Sequence, residues 1–202
     1  MGSKFKQLLV TPNVQKAQAH YYGAPSKVSL APDRDELTAE ENAFIAERDS
    51  FYIATVTEDG WPYMQHRGGP KGFLKVLGRN RLGFADFRGN RQMLSTGNLN
   101  GNGRVCLFLM DYPHRERLKI LGHAQVLDAR EESTLAAQLS PTNELDGDVE
   151  RLVLIDVLGF DWNCPQYITP RYTEQELGEL VAPLKRRAAE LEQQIKELKN
   201  NN

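Results

Sequence analysis

The sequence predicts a mainly β protein with flanking helices. Three observations carry that reading. First, "FYIATVT" and "WPYMQH" are separated by Glu58-Asp59-Gly60, and Asp-Gly between two β-rich runs is a strong hairpin signal. Second, at least six such runs follow one another through tight turns, which points to a closed antiparallel barrel rather than a doubly wound sheet. Third, the helices lie outside that run of strands.

Each element has its own local reason. Residues Thr11 to Tyr22 read as a short helix ending at Gly23, followed by the proline-containing loop "APSKVSLAPDRD". Thr38 with Glu41 three residues later forms a capping box, so a helix is expected from Ala39 to Arg48. After the first hairpin, "GFLKVLG" and "RLGFAD" make a second around Gly78 to Asn80. "GRVCLFLMDY" and "ERLKILGHAQVLD" make a third, joined at Pro113-His114-Arg115. "EESTLAAQL" reads as a short helix and "RLVLIDVLGFDW" as the last strand.

From Glu174 to Lys199 the composition shifts to Glu, Lys, Leu, Ala and Gln. Leu177, Leu184, Leu191 and Leu198 recur every seven residues, with Val181, Ala188 and Ile195 between them. Leu at d with mostly β-branched residues at a favours parallel two-stranded coils. The same stripe would serve a helix packed on its own barrel, and both readings stand. Pro183 should start or kink this helix. The expected organisation is an N-terminal helical and loop segment (1–37), the barrel (38–172) and a C-terminal amphipathic helix (173–202).

Composition excludes several classes. The 202 residues suit one domain with some surplus for terminal helices. A net charge of -2 gives no global basic field for nucleic acid. No apolar run approaches membrane-spanning length, and "MGSKFKQLLV" lacks a signal-peptide core, so a cytoplasmic protein is expected. Cys106 and Cys164 make neither a disulfide framework nor a zinc site, and the four histidines lack helical i, i+4 pairing, so no metal is expected.

Two stretches concentrate polar chemistry. "DFRGNRQ" leaves the strand "RLGFA" with Arg88, Asn90, Arg91 and Gln92 in one turn around Gly89. Arginine forks, side-chain amides and turn amides bind phosphate. By composition alone, a solvated turn opening the helix "GNRQMLSTGNL" explains it as well. The second stretch, "MQHRGGPKGFLKVL", carries His66, Arg67, Lys71 and Lys75. Glycine pairs near a strand end mark bulges or close ligand approach. Together the two stretches would gather cations at one end of a barrel.

"FYIATVTEDGWPYMQHRGGPKGFLKVL", "RLGFADFRGNRQMLSTGNLNGNGRVCLFLMDY" and "ERLKILGHAQV" together resemble the flavin-mononucleotide (FMN)-binding split β-barrel of the pyridoxamine 5′-phosphate oxidase-like family, over roughly Ala39 to Arg171. The resemblance implies a homodimer with two FMN at the subunit interface. It places Lys75 against the flavin ring and ribityl chain. Pro70 stands where the family has a phosphate arginine, for which Arg67 or Lys71 would substitute. The family's Ser-Arg-Lys phosphate grip falls on Asn90, Arg91 and Gln92, with Arg88 as an extra cation, and a flavin-contacting glutamine falls on Arg117.

The family's C-terminal Arg-x-His-x-Arg segment is replaced by "FDWNCPQYITPRYT". There Trp162 would stack on a ring or plug the barrel mouth, and Asn163 and Gln166 would bond flavin edges. The implied activity is an FMN-dependent oxidoreductase of unassigned substrate, using a small redox substrate or NAD(P)H. The alternative is a flavin carrier or sensor without turnover; a barrel holding haem or a deazaflavin is a third reading. No residue is marked as general base, although Tyr63 and His66 lie near the expected site.

Overall fold

The computed structural model describes residues 3–140, 148–162 and 165–200. The chain divides into two compact units: Met1–Asp111 with Glu116–Pro165, and Tyr112–Arg115 with Gln166–Asn202. The first contains helices α1 (Ser3–Leu9), α2 (Pro12–Tyr22), α3 (Ala39–Ala46), α4 (Leu94–Gly101) and α5 (Ser133–Leu139). Its strands are β1 (Ser50–Val56), β2 (Pro62–Gly68), β3 (Lys75–Gly78), β4 (Arg81–Phe87), β5 (Arg104–Asp111), β6 (Glu116–Asp128) and β7 (Val149–Trp162). The second contains α6 (Glu174–Asn200), and there the Arg171 guanidinium lies 4.9 Å from the centre of the Tyr112 ring.

The seven strands form one antiparallel sheet in the order β2-β1-β5-β6-β7-β4-β3. The ladder ends at β2 and β3, the split form that the resemblance implies, whereas the number of strands alone suggests a closed barrel. The short β3, only four residues, pairs with β4 alone. Side chains cross the gap where backbone bonds do not. Phe51 of β1 stacks on Phe73 at 5.5 Å and meets Phe84 of β4 edge-on at 5.4 Å.

Strand alternation fills the interior. Phe51, Ile53, Leu82, Phe84, Val105, Leu107, Leu109, Leu118, Ile120, Val153, Ile155 and Val157 form one buried cluster. A smaller cluster joins Ala85, Leu152 and Leu154 to Leu139 of α5. Full burial of each such aliphatic or aromatic side chain stabilises by about 1.5–3 kcal/mol. The Asp59-Gly60 turn forms as expected: Gly60 has φ +85° and donates to the Thr57 carbonyl at 2.9 Å.

The helices follow their caps. Thr11 caps α2, Pro12 opens it, and Gly23 ends it at φ 79°. The capping box of α3 forms, the Thr38 hydroxyl accepting from the Glu40 amide at 3.2 Å and Glu41 accepting from the Thr38 amide at 2.9 Å. In α1 the amides of Lys4 and Phe5 donate to the distant Asp35 carboxylate, at 3.0 Å and 3.2 Å. A Cβ at Gly159 would lie 2.6 Å from the Phe5 nitrogen, so glycine is what lets α1 approach β7.

Trp162 ties the last strand to α3. Its indole Nε1–H donates to Glu41 at 2.6 Å, and its ring meets Phe44 edge-on at 4.8 Å. Burial opposes ionisation of Glu41, but hydrogen bonds from Thr38 and Trp162 outweigh it and hold the carboxyl below its ordinary 4.5. A lowered carboxyl pKa contributes stability above the unfolded value, lost as pH falls through the folded one. Trp162→Phe keeps the ring packing and removes the donor. It should destabilise by about 1.5–3 kcal/mol at pH 7, with a smaller deficit at pH 3.5, as read from urea midpoints at both pH values.

Candidate functional site

A cavity of about 180 Å³ opens where β2, the end of β4 and the start of β7 meet the turn before α4. One wall is the inward row of β2: Tyr63, Gln65 and Arg67. The floor is Asp86 of β4 with Glu150 and Arg151 of β7. The turn from Gly89 to Met93 and the first residues of α4 (Leu94, Ser95 and Thr96) complete it. The alternation of β2 selects this row, because Pro62, Met64, His66 and Gly68 face the other way and are exposed.

Asp86 organises the floor. The carboxylate is buried, and each oxygen takes one arginine: Oδ1 accepts from Arg67 Nη1 at 2.5 Å and Oδ2 from Arg151 Nε at 2.9 Å. Arg151 also donates to Glu150 at 2.8 Å. Burial works against the Arg151 charge, yet the Asp86 and Glu150 carboxylates outweigh it and raise its pKa above the ordinary arginine value. Arg67 lies over the Phe84 ring at 5.8 Å, and its buried Nε lacks a hydrogen-bond partner among the described residues. An unpaired buried donor costs about 1–3 kcal/mol, and this nitrogen has essentially no exposed surface, so it does not itself face the cavity.

The turn supplies the rest. Arg91 and Met93 are non-glycine residues in the left-handed region, at φ 61° and 58°. Such residues cost roughly 1–2 kcal/mol each and cluster at ligand clamps. Asn90 and Gln92 brace the turn, the Gln92 amide donating to Asn90 Oδ1 at 3.1 Å. Met93 opens α4 without a side-chain cap, so the first amides and the positive end of the helix dipole front the cavity. Ser95 donates to Gln65 at 2.7 Å, locking α4 to β2. Three arginines against two carboxylates leave the lining one formal positive charge.

Of the residues singled out in the sequence, the fold brings Arg67, Asn90, Arg91 and Gln92 together here. Arg88 is exposed and outside the lining. Of the two substitutes for the arginine absent at Pro70, Arg67 enters the cavity, whereas exposed Lys71 reaches Glu47 at 3.6 Å. Lys75 does not join. It neighbours Val76, which packs into the interior, and Leu77, which packs on the α5 side, so strand parity directs Lys75 to that outer side.

Arg117 lies on the outer face of β6, its guanidinium 5.9 Å from the Phe108 ring centre and its buried Nε without a partner among the described residues. Trp162 is engaged with Glu41 and Phe44. Asn163 falls outside the described residues. Gln166 belongs to the second unit and is exposed. His66 faces Tyr52 on the outer surface, ring to ring at 5.6 Å. Sequence reasoning misses Gln65, Asp86, Glu150, Arg151 and Ser95. Their only local signal is a polar residue at an inward strand or first-turn position.

The family model for pyridoxamine 5′-phosphate oxidase matches residues 37–153, more than half of the chain. No curated protein matches significantly. Solved structures similar to this chain include a putative pyridoxamine 5′-phosphate oxidase from Lactobacillus delbrueckii, at 20% identity and TM-score 0.48, covering 64% of this chain and 96% of that one. HupZ of Group A Streptococcus gives 16% identity and TM-score 0.48, over 67% and 99% of the two chains. An FMN-binding protein from Syntrophomonas wolfei gives 12% and 0.47, over 61% and 83%.

Asp86→Ala would strand Arg67 and Arg151 without their shared counter-charge. Breaking a buried pair from one side costs about 3–5 kcal/mol. The variant should show that loss in chemical denaturation, while Arg88→Ala, in an exposed side chain, should stay within about 0.5 kcal/mol of the parent.

Proposed function

Because the chain belongs to the pyridoxamine 5′-phosphate oxidase family, we propose that it binds FMN as a homodimer and acts as an FMN-dependent oxidoreductase. The observation that carries this is a net-positive cavity lined by Arg67, Arg91 and the uncapped start of α4. The residues fit a phosphate monoester: cations, free helix amides and turn amides are the groups that bind one. The volume also fits. Sites for drug-sized ligands span roughly 300–1,000 Å³, so 180 Å³ takes the phosphate end and leaves the ring system outside.

In this reading Arg67, Arg91 and the first amides of α4 hold the phosphate. Asn90 and Gln92 keep the turn in shape, and Asp86 aims Arg67. When bound, the flavin supplies two-electron redox chemistry, accepting reducing equivalents from a small substrate or a reduced nicotinamide. The protein's part is to bind, orient and shield.

The outer sheet face supports the dimer. Tyr52 and Met64 are exposed there, at 38% and 65%, beside half-buried Ala54, Cys106, Phe108 and Met110. A continuous apolar strip of that kind marks an interaction surface. Arg117 lies on the same face, its guanidinium 5.9 Å from the Phe108 ring centre.

The purified protein should be yellow and release FMN on denaturation, identified by mass spectrometry. Arg91→Ala and Arg67→Ala should each weaken FMN binding by about 1.5–3 kcal/mol, roughly tenfold to a hundredfold in Kd. Unchanged affinity in both would remove the phosphate assignment. Flavin bleached by NAD(P)H and recoloured by an acceptor over many turnovers identifies an enzyme. Flavin bound but redox-silent identifies a carrier.

A further inference from the structure

Helix α6 carries a feature that flavin binding does not use. It runs unbroken for 27 residues through Pro183, and none of its residues is buried. Leu177, Leu184, Leu191, Ile195 and Leu198 are 52%, 69%, 42%, 52% and 66% exposed. An apolar stripe at heptad spacing, left to solvent, is a strong liability unless another helix covers it.

We propose that this stripe pairs, parallel and in register, with α6 of a second copy of this chain. The a positions are Val181, Ala188 and Ile195; the d positions are Leu177, Leu184, Leu191 and Leu198. Branched residues at a with Leu at d suit two parallel strands. The flanking charges are self-complementary in that arrangement. A g residue faces the e residue five positions further along the partner. Arg187 at g then meets Glu192, Gln194 meets Lys199, and Leu180 covers the stem of Lys185; no like charges oppose.

Within one helix Arg187 reaches Glu190 at 3.0 Å, and Glu192 has no cation partner among the described residues. The intrahelical bonds Gln175–Glu179 and Gln193–Glu197 lie at b, c and f, clear of the seam. Pro183 falls at c, so its ring faces away from the partner. The pairing uses only α6 and stands whether or not the cavity binds a flavin.

The test uses the full chain with Cys106 and Cys164 replaced by Ser. Ile195→Cys, at a, should convert almost wholly to a disulfide-linked dimer under mild oxidation, whereas Gln193→Cys, at f, should stay at least tenfold less crosslinked. Adding Arg187→Glu to Ile195→Cys should cut crosslinking severalfold, and adding Glu192→Arg as well should restore it. If the double-serine background fails to fold, the same variants are compared with the two native cysteines in place, against the parent chain. No crosslink at Ile195→Cys, equal crosslinking at Gln193→Cys, or indifference to the charge reversal would each overturn the pairing. None of these outcomes depends on flavin content, so they separate from failure of the cofactor assignment.

Discussion

The Asp86 carboxylate is the constraint on which the cavity end of the sheet depends. The sheet does not close by backbone bonds, because its terminal strands β2 and β3 never pair. At this end the gap is spanned by Arg67 of β2 reaching Asp86 of β4, which also holds Arg151 of β7. Three strands, two of them distant in the ladder, are thus fixed by one buried group. Buried ion pairs of this kind add little net stability over an apolar substitute, because desolvation offsets attraction. What they add is direction. Arg67 is held by Asp86 in the cavity wall, with its Nε buried.

Much of the fold is legible in sequence because its signals are local. Asp59-Gly60, the Thr38–Glu41 box, Thr11 before α2 and Gly23 after it each specify geometry within a few residues, and each forms. Helix α1 is not legible, since its cap is Asp35, about thirty residues away. Closure is not legible from strand count, which does not tell a closed ladder from the split one that the resemblance implies and the sheet order shows.

The site divides along the same line. Asn90, Arg91 and Gln92 share one turn, so their convergence is readable from adjacency, whereas the resemblance leaves Arg67 or Lys71 as the second cation and only the fold brings in Arg67. Glu150 and Arg151 reach the floor only through the β4–β7 register that sets Asp86 opposite Arg151, and no local pattern encodes a register between strands 65 residues apart. Lys75 shows the reverse failure. Strand parity is readable, but which parity faces inward depends on where Val76 and Leu77 pack.

These pieces bear on how the cavity discriminates among anions. Asp86 and Glu150 cancel two of the three arginines, leaving a modest net field. A strongly positive pocket would take any anion by charge alone. Here an incoming group gains little from the field. On the proposed reading it must instead meet the Arg67 guanidinium, the Arg91 side chain held by a left-handed backbone and the first amides of α4 together. A small carboxylate would satisfy one or two of these donors, whereas a tetrahedral phosphate presents oxygens in enough directions to engage all of them. On the proposed reading, charge compensation by Asp86 trades raw attraction for shape, and the strain held in the turn would add selectivity because the donors are placed before the ligand arrives.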